Sequence, residues 1–260
     1  MKQHPSARSV LWVVPVTMVA FFATAVLWSI IGPLLIPALR GNERLISLTG
    51  FFPIELIGVL VPSLVACKIG KVDFRAVFPF RRVAWWRLLL IVGATFGLAL
   101  VITYLQGWFA QATGLPYPKD VTDLIRAHTP MQWAFMLLAV AFVPAFAEEM
   151  VTRGYVQSAL VPRLGLVWGI LLTAGIFALM HFLPAGIPTY VILGIWLSWV
   201  RHRTGSMIGP IAAHATNNTL ALLQANLVPE AYWATNIAWV LPLGVVLFGT
   251  LGYLSLKDLK

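Results

Sequence analysis

The sequence predicts an all-α membrane protein that crosses the bilayer several times. Of its 260 residues, 60% are hydrophobic and only 10% are charged, and its mean hydropathy is +0.86. Several apolar runs approach or exceed the roughly 18–20 residues that a helix needs to span a bilayer. Backbone groups in lipid must be hydrogen-bonded within the protein, and no alternating barrel pattern is visible, so these runs are expected to be helices. We expect a single domain, residues 1–260.

Eight apolar runs are separated by segments that contain charged residues, proline or glycine. The predicted spans are Val10–Leu39, Gly50–Cys67, Trp86–Ala110, Met131–Leu160, Gly165–Leu183, Ile187–Val200, Met207–Asn226 and Ala234–Leu256. The first run follows Lys2 and Arg8, as in a signal peptide. Its length, and the lack of a convincing cleavage site before Arg40, indicate a helix that is retained.

The distribution of basic residues predicts how the chain is oriented in the membrane. With the N-terminus in the cytoplasm, fourteen of the eighteen Lys and Arg residues fall on the cytoplasmic side. The other side holds only Arg40, Arg44, Lys119 and Arg126. The positive-inside rule therefore places both termini in the cytoplasm of a multi-pass cell-membrane protein. This topology explains the net charge of +9, so the expected partner is the lipid bilayer and not a nucleic acid.

A small set of polar side chains lies inside or beside the apolar runs. The set comprises Glu55, Glu148, Glu149, Arg153, His181, His214, Asn217 and Asn218. A charge at the centre of a bilayer costs about 2.5–3.5 kcal/mol on insertion scales, so such residues usually have a function. On a helix, Glu149 and Arg153 share a face and can form an ion pair, which leaves Glu148 free to face elsewhere.

His181 and His214 each have a partner one helical turn away on the same face. Phe177 precedes His181 by four residues, and Asn218 follows His214 by four residues. Either histidine alone would usually be hydrogen-bonded between helices. Together with Glu148 they suit hydrolysis, in which a carboxylate and an imidazole activate a water while a second imidazole and an amide stabilise an oxyanion. Alternatively, Glu148, His181 and His214 could hold a divalent metal such as zinc.

Three motifs occur in order on successive predicted helices. They are Glu148-Glu149-x-x-x-Arg153, Phe177-x-x-x-His181 and His214-x-x-x-Asn218. In this order and spacing they resemble the CPBP family of intramembrane proteases (CAAX protease and bacteriocin-processing, also called Abi). The resemblance extends over roughly Phe135 to Leu222, and eight spans are also similar to the family's fold.

The resemblance implies an endopeptidase related to the type II enzyme that removes the last three residues of prenylated CAAX proteins. It implies that Glu148, with His181, activates the water. It also implies that His214 and Asn218 form the oxyanion site. The expected substrate is a membrane-associated peptide or a lipidated, CAAX-like protein.

Supporting roles are implied for Glu149, Arg153 and Phe177, which would brace the site. The resemblance does not decide between a bound metal, such as zinc, and a metal-free glutamate mechanism. The sequence contains side chains that would serve either.

The main alternative is a non-catalytic membrane protein, such as a bacteriocin self-immunity protein, that uses the same polar pocket for binding. A serine protease pairing Ser206 with His214 is less favoured because it leaves Glu148 without a role. The sequence also lacks the His-Glu-x-x-His motif of many zinc proteases. For Glu55, which lies alone in the second span, a hydrogen bond between helices is favoured over a position lining a cavity.

Overall fold

The computed structural model describes residues 4–115 and 119–259, which are helical almost throughout and contain no β-strand. The helices are, in chain order, α1 (Ala7–Leu35), α2 (Glu43–Ile69), α3 (Phe74–Val77), α4 (Trp85–Thr113), α5 (Lys119–Leu124), α6 (Pro130–Met180), α7 (Ile187–Thr204), α8 (Ile208–Leu227) and α9 (Glu230–Leu256). The short helices α3 and α5 lie in connecting segments. The predicted all-α class is confirmed for these residues.

Within the described residues, five helices are long and apolar enough to cross a membrane. They are α1, α2, α4, α6 and the Thr235–Leu256 part of α9. Helix α6 has 51 residues and bends at Gly165, where the backbone adopts φ 77° and ψ 169°. A helix of about 20 residues spans a bilayer, so the first arm of α6, residues 130–164, is longer than one crossing and the second arm, residues 166–180, is slightly shorter. These helices support a multi-pass membrane protein.

Helices α7 and α8 were also predicted as spans, but they do not reach the hydropathy of the other five. The physical reason for α8 is that it carries His214, Asn217 and Asn218 among its apolar residues. The number of eight spans and the orientation with both termini inside therefore stay predictions. Two basic residues that count toward that orientation, Lys2 and Lys260, lie outside the described residues.

Side-chain caps and glycine define several helix ends. Ser6 Oγ at the start of α1 and Asn42 Oδ1 at the start of α2 each accept the backbone amide three residues further along. Thr129 and Gln132 form a reciprocal capping box at the start of α6. Helix α7 ends at Gly205, whose φ of 60° is a left-handed conformation that glycine adopts without steric cost.

Small residues let the helices approach closely. Helices α4 and α9 meet at Gly97 and Gly244, where a Cβ on Gly97 would lie 2.6 Å from the backbone nitrogen of Phe248. Helices α6 and α7 meet at Gly194, where a Cβ would lie 2.9 Å from the Cα of Ala174. Such contacts replace the hydrophobic driving force that is missing between helices in lipid. The contact at Gly194 brings α6, which carries two of the three motifs, into direct contact with α7.

Helices α2 and α6 are interrupted by π-helical turns. Within the described part of the chain these segments are Ile54–Leu60, Leu137–Phe142 and Met150–Val156. The amides of Val143 and Gln157 donate to carbonyls five residues earlier, which is the spacing of a π-turn. Glu55 lies within the first segment, and Glu148 and Glu149 directly precede the third. Because a π-turn rotates the helix that follows it, these segments change which way the nearby acidic side chains point.

Candidate active site

The ion pair predicted between Glu149 and Arg153 is present and completely buried. Arg153 Nη1 donates to Glu149 Oε1 at 2.6 Å, and neither side chain has exposed surface. Arg153 Nη2 donates to the carbonyl of Gly194 at 3.2 Å, and the guanidinium carbon lies 4.3 Å from the ring centroid of Phe177. Arg153 therefore connects both arms of α6 to α7.

His214 belongs to this buried group and does not pair with Glu148. Its Nδ1 lies 2.9 Å from Glu149 Oε1, the same oxygen that accepts from Arg153. A carboxylate can only accept, so Nδ1 carries a hydrogen and donates it. We call Glu149, Arg153 and His214 the buried ion cluster.

Glu148 points in a different direction from Glu149 and lies next to His181. Its Oε2 is 3.8 Å from His181 Nε2, and the two side chains are 17% and 22% exposed. His181 Nδ1 lies 2.8 Å from the carbonyl oxygen of Phe177 and must donate to it, because a carbonyl only accepts. In the neutral ring, Nε2 therefore presents a lone pair to the carboxylate. A separation of 3.8 Å between two acceptors is no direct hydrogen bond, but a water can donate one O–H to each.

Two aromatic rings hold His181 in this orientation. Tyr190 stacks on the imidazole with ring centroids 3.9 Å apart and an interplanar angle of 22°. The edge contact with Phe177 has a centroid distance of 4.7 Å. Phe177 also lies 5.5 Å from the ring of His214, so this one side chain contacts both the buried ion cluster and His181.

Glu148 and His181 line a cavity of about 310 Å³ formed by residues of α2, α4, α6, α7 and α8. We call it the polar cavity. Its other polar side chains include Glu55, Thr103, Gln106, Asn217, Asn218 and Gln224. Of the predicted catalytic residues, Glu148, His181 and Asn218 thus share one cavity, whereas His214 does not line it. The volume is at the lower end of the range for ligand pockets, which starts at about 300 Å³.

Glu55 lies on the wall of the polar cavity, which corrects the expectation that it forms a hydrogen bond between helices. The residue is 5% exposed, and its Oε2 is buried without a hydrogen-bond partner among the described residues. Sequence reasoning located this acid in the second span but not next to Glu148. The only signal available in the sequence was the cost of placing a charge in an apolar run.

The described side chains do not form a three-ligand metal site. No group of three His, Cys, Asp or Glu residues in this part of the chain is arranged to hold a metal ion. The trio considered from the sequence, Glu148, His181 and His214, does not assemble because His214 is bonded to Glu149 instead. The donor set therefore does not fit a metal, and we assign no catalytic step to one.

The alternative pairing of Ser206 with His214 also lacks support. Ser206 is buried, and its Oγ donates to the carbonyl of Arg81 at 2.7 Å. It does not line the polar cavity. Ser206 instead fixes the turn between α7 and α8 against the segment that precedes α4.

One comparison with known proteins finds a match to a protein family. Residues 130–220 match the sequence model of the family described as type II CAAX prenyl endopeptidase Rce1-like. The match covers less than half of the chain, but it runs from the start of α6 into α8 and contains every residue of the three motifs. The match supports an assignment to the CPBP family of CAAX proteases, which is the resemblance that the motifs predicted. The family in general comprises intramembrane proteases of the CAAX type.

The other two comparisons add no relative. No curated protein and no solved structure matches the chain significantly.

Proposed function

We propose that the protein is an intramembrane endopeptidase in which Glu148 and His181 activate the attacking water. The observation that carries this proposal is the 3.8 Å separation between Glu148 Oε2 and His181 Nε2 on the wall of the polar cavity. Two acceptor atoms that face each other can share a single water as their common donor. That water is then held by the base that would deprotonate it.

In the proposed reaction, the water oxygen attacks the carbonyl carbon of the scissile peptide bond while Glu148 takes one of its protons. His181 Nε2 accepts the second O–H and orients the water. The carbon–nitrogen bond of the tetrahedral intermediate then breaks, and Glu148 returns its proton to the leaving amine. One water is consumed, and the products are a carboxylic acid and an amine. A positioned acid–base group of this kind contributes about 10²- to 10⁴-fold in rate.

Asn218 and His214 are the proposed donors to the oxyanion. Asn218 lines the polar cavity, and its side-chain amide can donate. Nδ1 of His214 already donates to Glu149, so His214 can donate a second hydrogen from Nε2 only as an imidazolium. With that charge, the buried ion cluster would carry one net positive charge, which is complementary to a developing oxyanion.

The proposed substrate is a membrane-associated or lipidated protein with a CAAX-like end. This part of the proposal rests on the family match, whose description names a prenyl endopeptidase. Apolar side chains such as Phe51, Ile102 and Val140 lie beside the polar ones on the cavity wall. A wall of this mixed character suits a peptide segment with both apolar side chains and a polar backbone.

The test is cleavage of prenylated and unprenylated CAAX-like peptides by the purified protein in detergent. We expect Glu148→Gln and His181→Ala to lose cleavage. The matched controls Glu43→Gln and His128→Ala change exposed residues of the same types and should cleave like the wild type. If all four variants cleave equally well, the proposed roles of Glu148 and His181 are wrong. If the wild type cleaves neither kind of peptide, and cells with Glu148→Gln or His181→Ala show the same phenotype as cells with the wild type, a binding role such as immunity replaces the enzyme.

A further inference from the structure

We propose that Glu55 makes the polar cavity selective for a substrate that carries a basic side chain, Lys or Arg, near the scissile peptide bond. This inference rests on the proposed peptidase function, since it concerns which peptide that cavity accepts.

The first argument concerns one buried carboxylate oxygen of Glu55. It is 5% exposed, and its Oε2 has no hydrogen-bond partner among the described residues. A buried carboxylate without a partner is strongly unfavourable, and a buried cation is the partner that best compensates it. Arg153 cannot serve, because it is bonded to Glu149 and Gly194 and does not line the cavity.

The second argument is the charge of the cavity wall. Of the described residues that line it, Glu55 and Glu148 are acidic and none is Lys or Arg. The two carboxylates line the same cavity, where like charges repel each other. Glu148 must be ionised to act as a base, so a second carboxylate without a cation leaves the negative charge of the wall unbalanced. A cationic group of the substrate would pair with Glu55 and balance its charge.

The third argument is the position of Glu55. The π-helical segment that contains it packs against the part of α6 that ends at Glu149. Apolar side chains of Phe51 and Ile102 lie on the same cavity wall. A Lys or Arg side chain can place its methylene stem along such apolar surface and its charged end at a carboxylate. A cation at Glu55 would thus belong to a residue near the peptide bond that is attacked by the water held at Glu148.

The experiment compares two prenylated CAAX-like peptides that differ only by Lys or norleucine at the residue before the prenylated cysteine. Each peptide is incubated in detergent with the wild type, with Glu55→Gln or with Glu43→Gln. The Glu43→Gln variant is the control, because it removes one exposed negative charge from the same helix. We expect the wild type and Glu43→Gln to prefer the Lys peptide in kcat/KM by about tenfold or more, which corresponds to about 1.4 kcal/mol. Glu55→Gln should lose this preference and still cleave the norleucine peptide.

Binding of non-cleavable forms of both peptides, followed by fluorescence anisotropy, separates this inference from the peptidase proposal. If the wild type cleaves both peptides equally, or if Glu55→Gln keeps the preference, the inference is wrong and the peptidase proposal stands. If nothing is cleaved but the Lys peptide binds more tightly in a manner that requires Glu55, the peptidase proposal is wrong and the cation site stands. Should Glu55→Gln fail to fold, the wild-type comparison of the two peptides and the variant Glu55→Met decide the question.

Discussion

Two adjacent acids of one helix have opposite surroundings. Glu149 has no exposed surface, and its Oε1 accepts from both Arg153 and His214. Glu148 is partly exposed in the polar cavity and faces His181 across 3.8 Å, a distance that leaves room for a water. Successive residues on a helix point about 100° apart, and the two side chains thus reach different neighbours.

The difference shows that one helix can carry a carboxylate that stabilises the fold next to a carboxylate that is available for a reaction. A buried charge that loses its partner destabilises a protein strongly, so the buried ion cluster should determine stability. A carboxylate with an incomplete set of hydrogen bonds remains able to bind a water or a substrate. The polar cavity should therefore determine activity, and variants on the two sides should have separable effects.

The largest expected effect is on activity and comes from Glu148→Gln. This change removes the proposed base while keeping its shape, so we expect kcat to fall by about 10²- to 10⁴-fold. Because Glu148 has no ion pair that supports the fold other than its contact with His181, the thermal unfolding midpoint in detergent should stay close to that of the wild type. If Glu148→Gln cleaved normally but had a lower thermal unfolding midpoint than the wild type, Glu148 would have the structural role that we assign to Glu149.

The next effect is on stability and comes from Arg153→Met. It leaves Glu149 buried without its cation, and we expect a loss of about 3–5 kcal/mol in the free energy of unfolding. The matched control is Arg126→Met, which breaks an exposed pair with Asp123 whose side chains are 50% and 68% exposed. That control should cost at most about 1 kcal/mol. Equal losses in the two variants, measured by reversible unfolding in mixed micelles, would contradict the structural role of the cluster.

His214→Phe tests the separation between stability and activity. His214 belongs to the buried ion cluster and is also proposed to donate a hydrogen bond to the oxyanion. Phenylalanine keeps a ring next to Phe177 and removes both nitrogens. If His214 donates to the oxyanion, kcat should fall by about 10²-fold or more with little change in KM. A variant that is only less stable, with kcat preserved when it is folded, would restrict His214 to the buried ion cluster.

The smallest effect is expected for Tyr190→Leu, which removes the ring stacked on His181. An aromatic pair is worth about 0.5–1.5 kcal/mol, and so we expect kcat to fall about three- to tenfold while the protein stays folded. Tyr253→Leu, at a side chain that is 70% exposed on α9, is the control and should keep full activity. A loss of the same size in both variants would mean that Tyr190 does not position His181.

Features that depend on local spacing could be predicted from the sequence. Apolar runs predict helices because backbone groups in lipid must pair internally. Residues four apart on a helix are neighbours, and this relation predicted both the ion pair of Glu149 with Arg153 and the contact of Phe177 with His181. The same spacing produced the motifs that predicted the resemblance to the CPBP family.

Which helix faces meet could not be predicted in this way, because it depends on how the helices pack. Residues far apart in the chain, such as His214 and Glu149 or Glu55 and Glu148, become neighbours through helix rotation, the close contact at Gly194 and the π-turns of α2 and α6. A π-turn changes the direction of every following side chain, and apolar periodicity does not reveal it because lipid-facing and buried positions are equally hydrophobic. For this reason the partner of His214 and the place of Glu55 on the cavity wall required the folded chain.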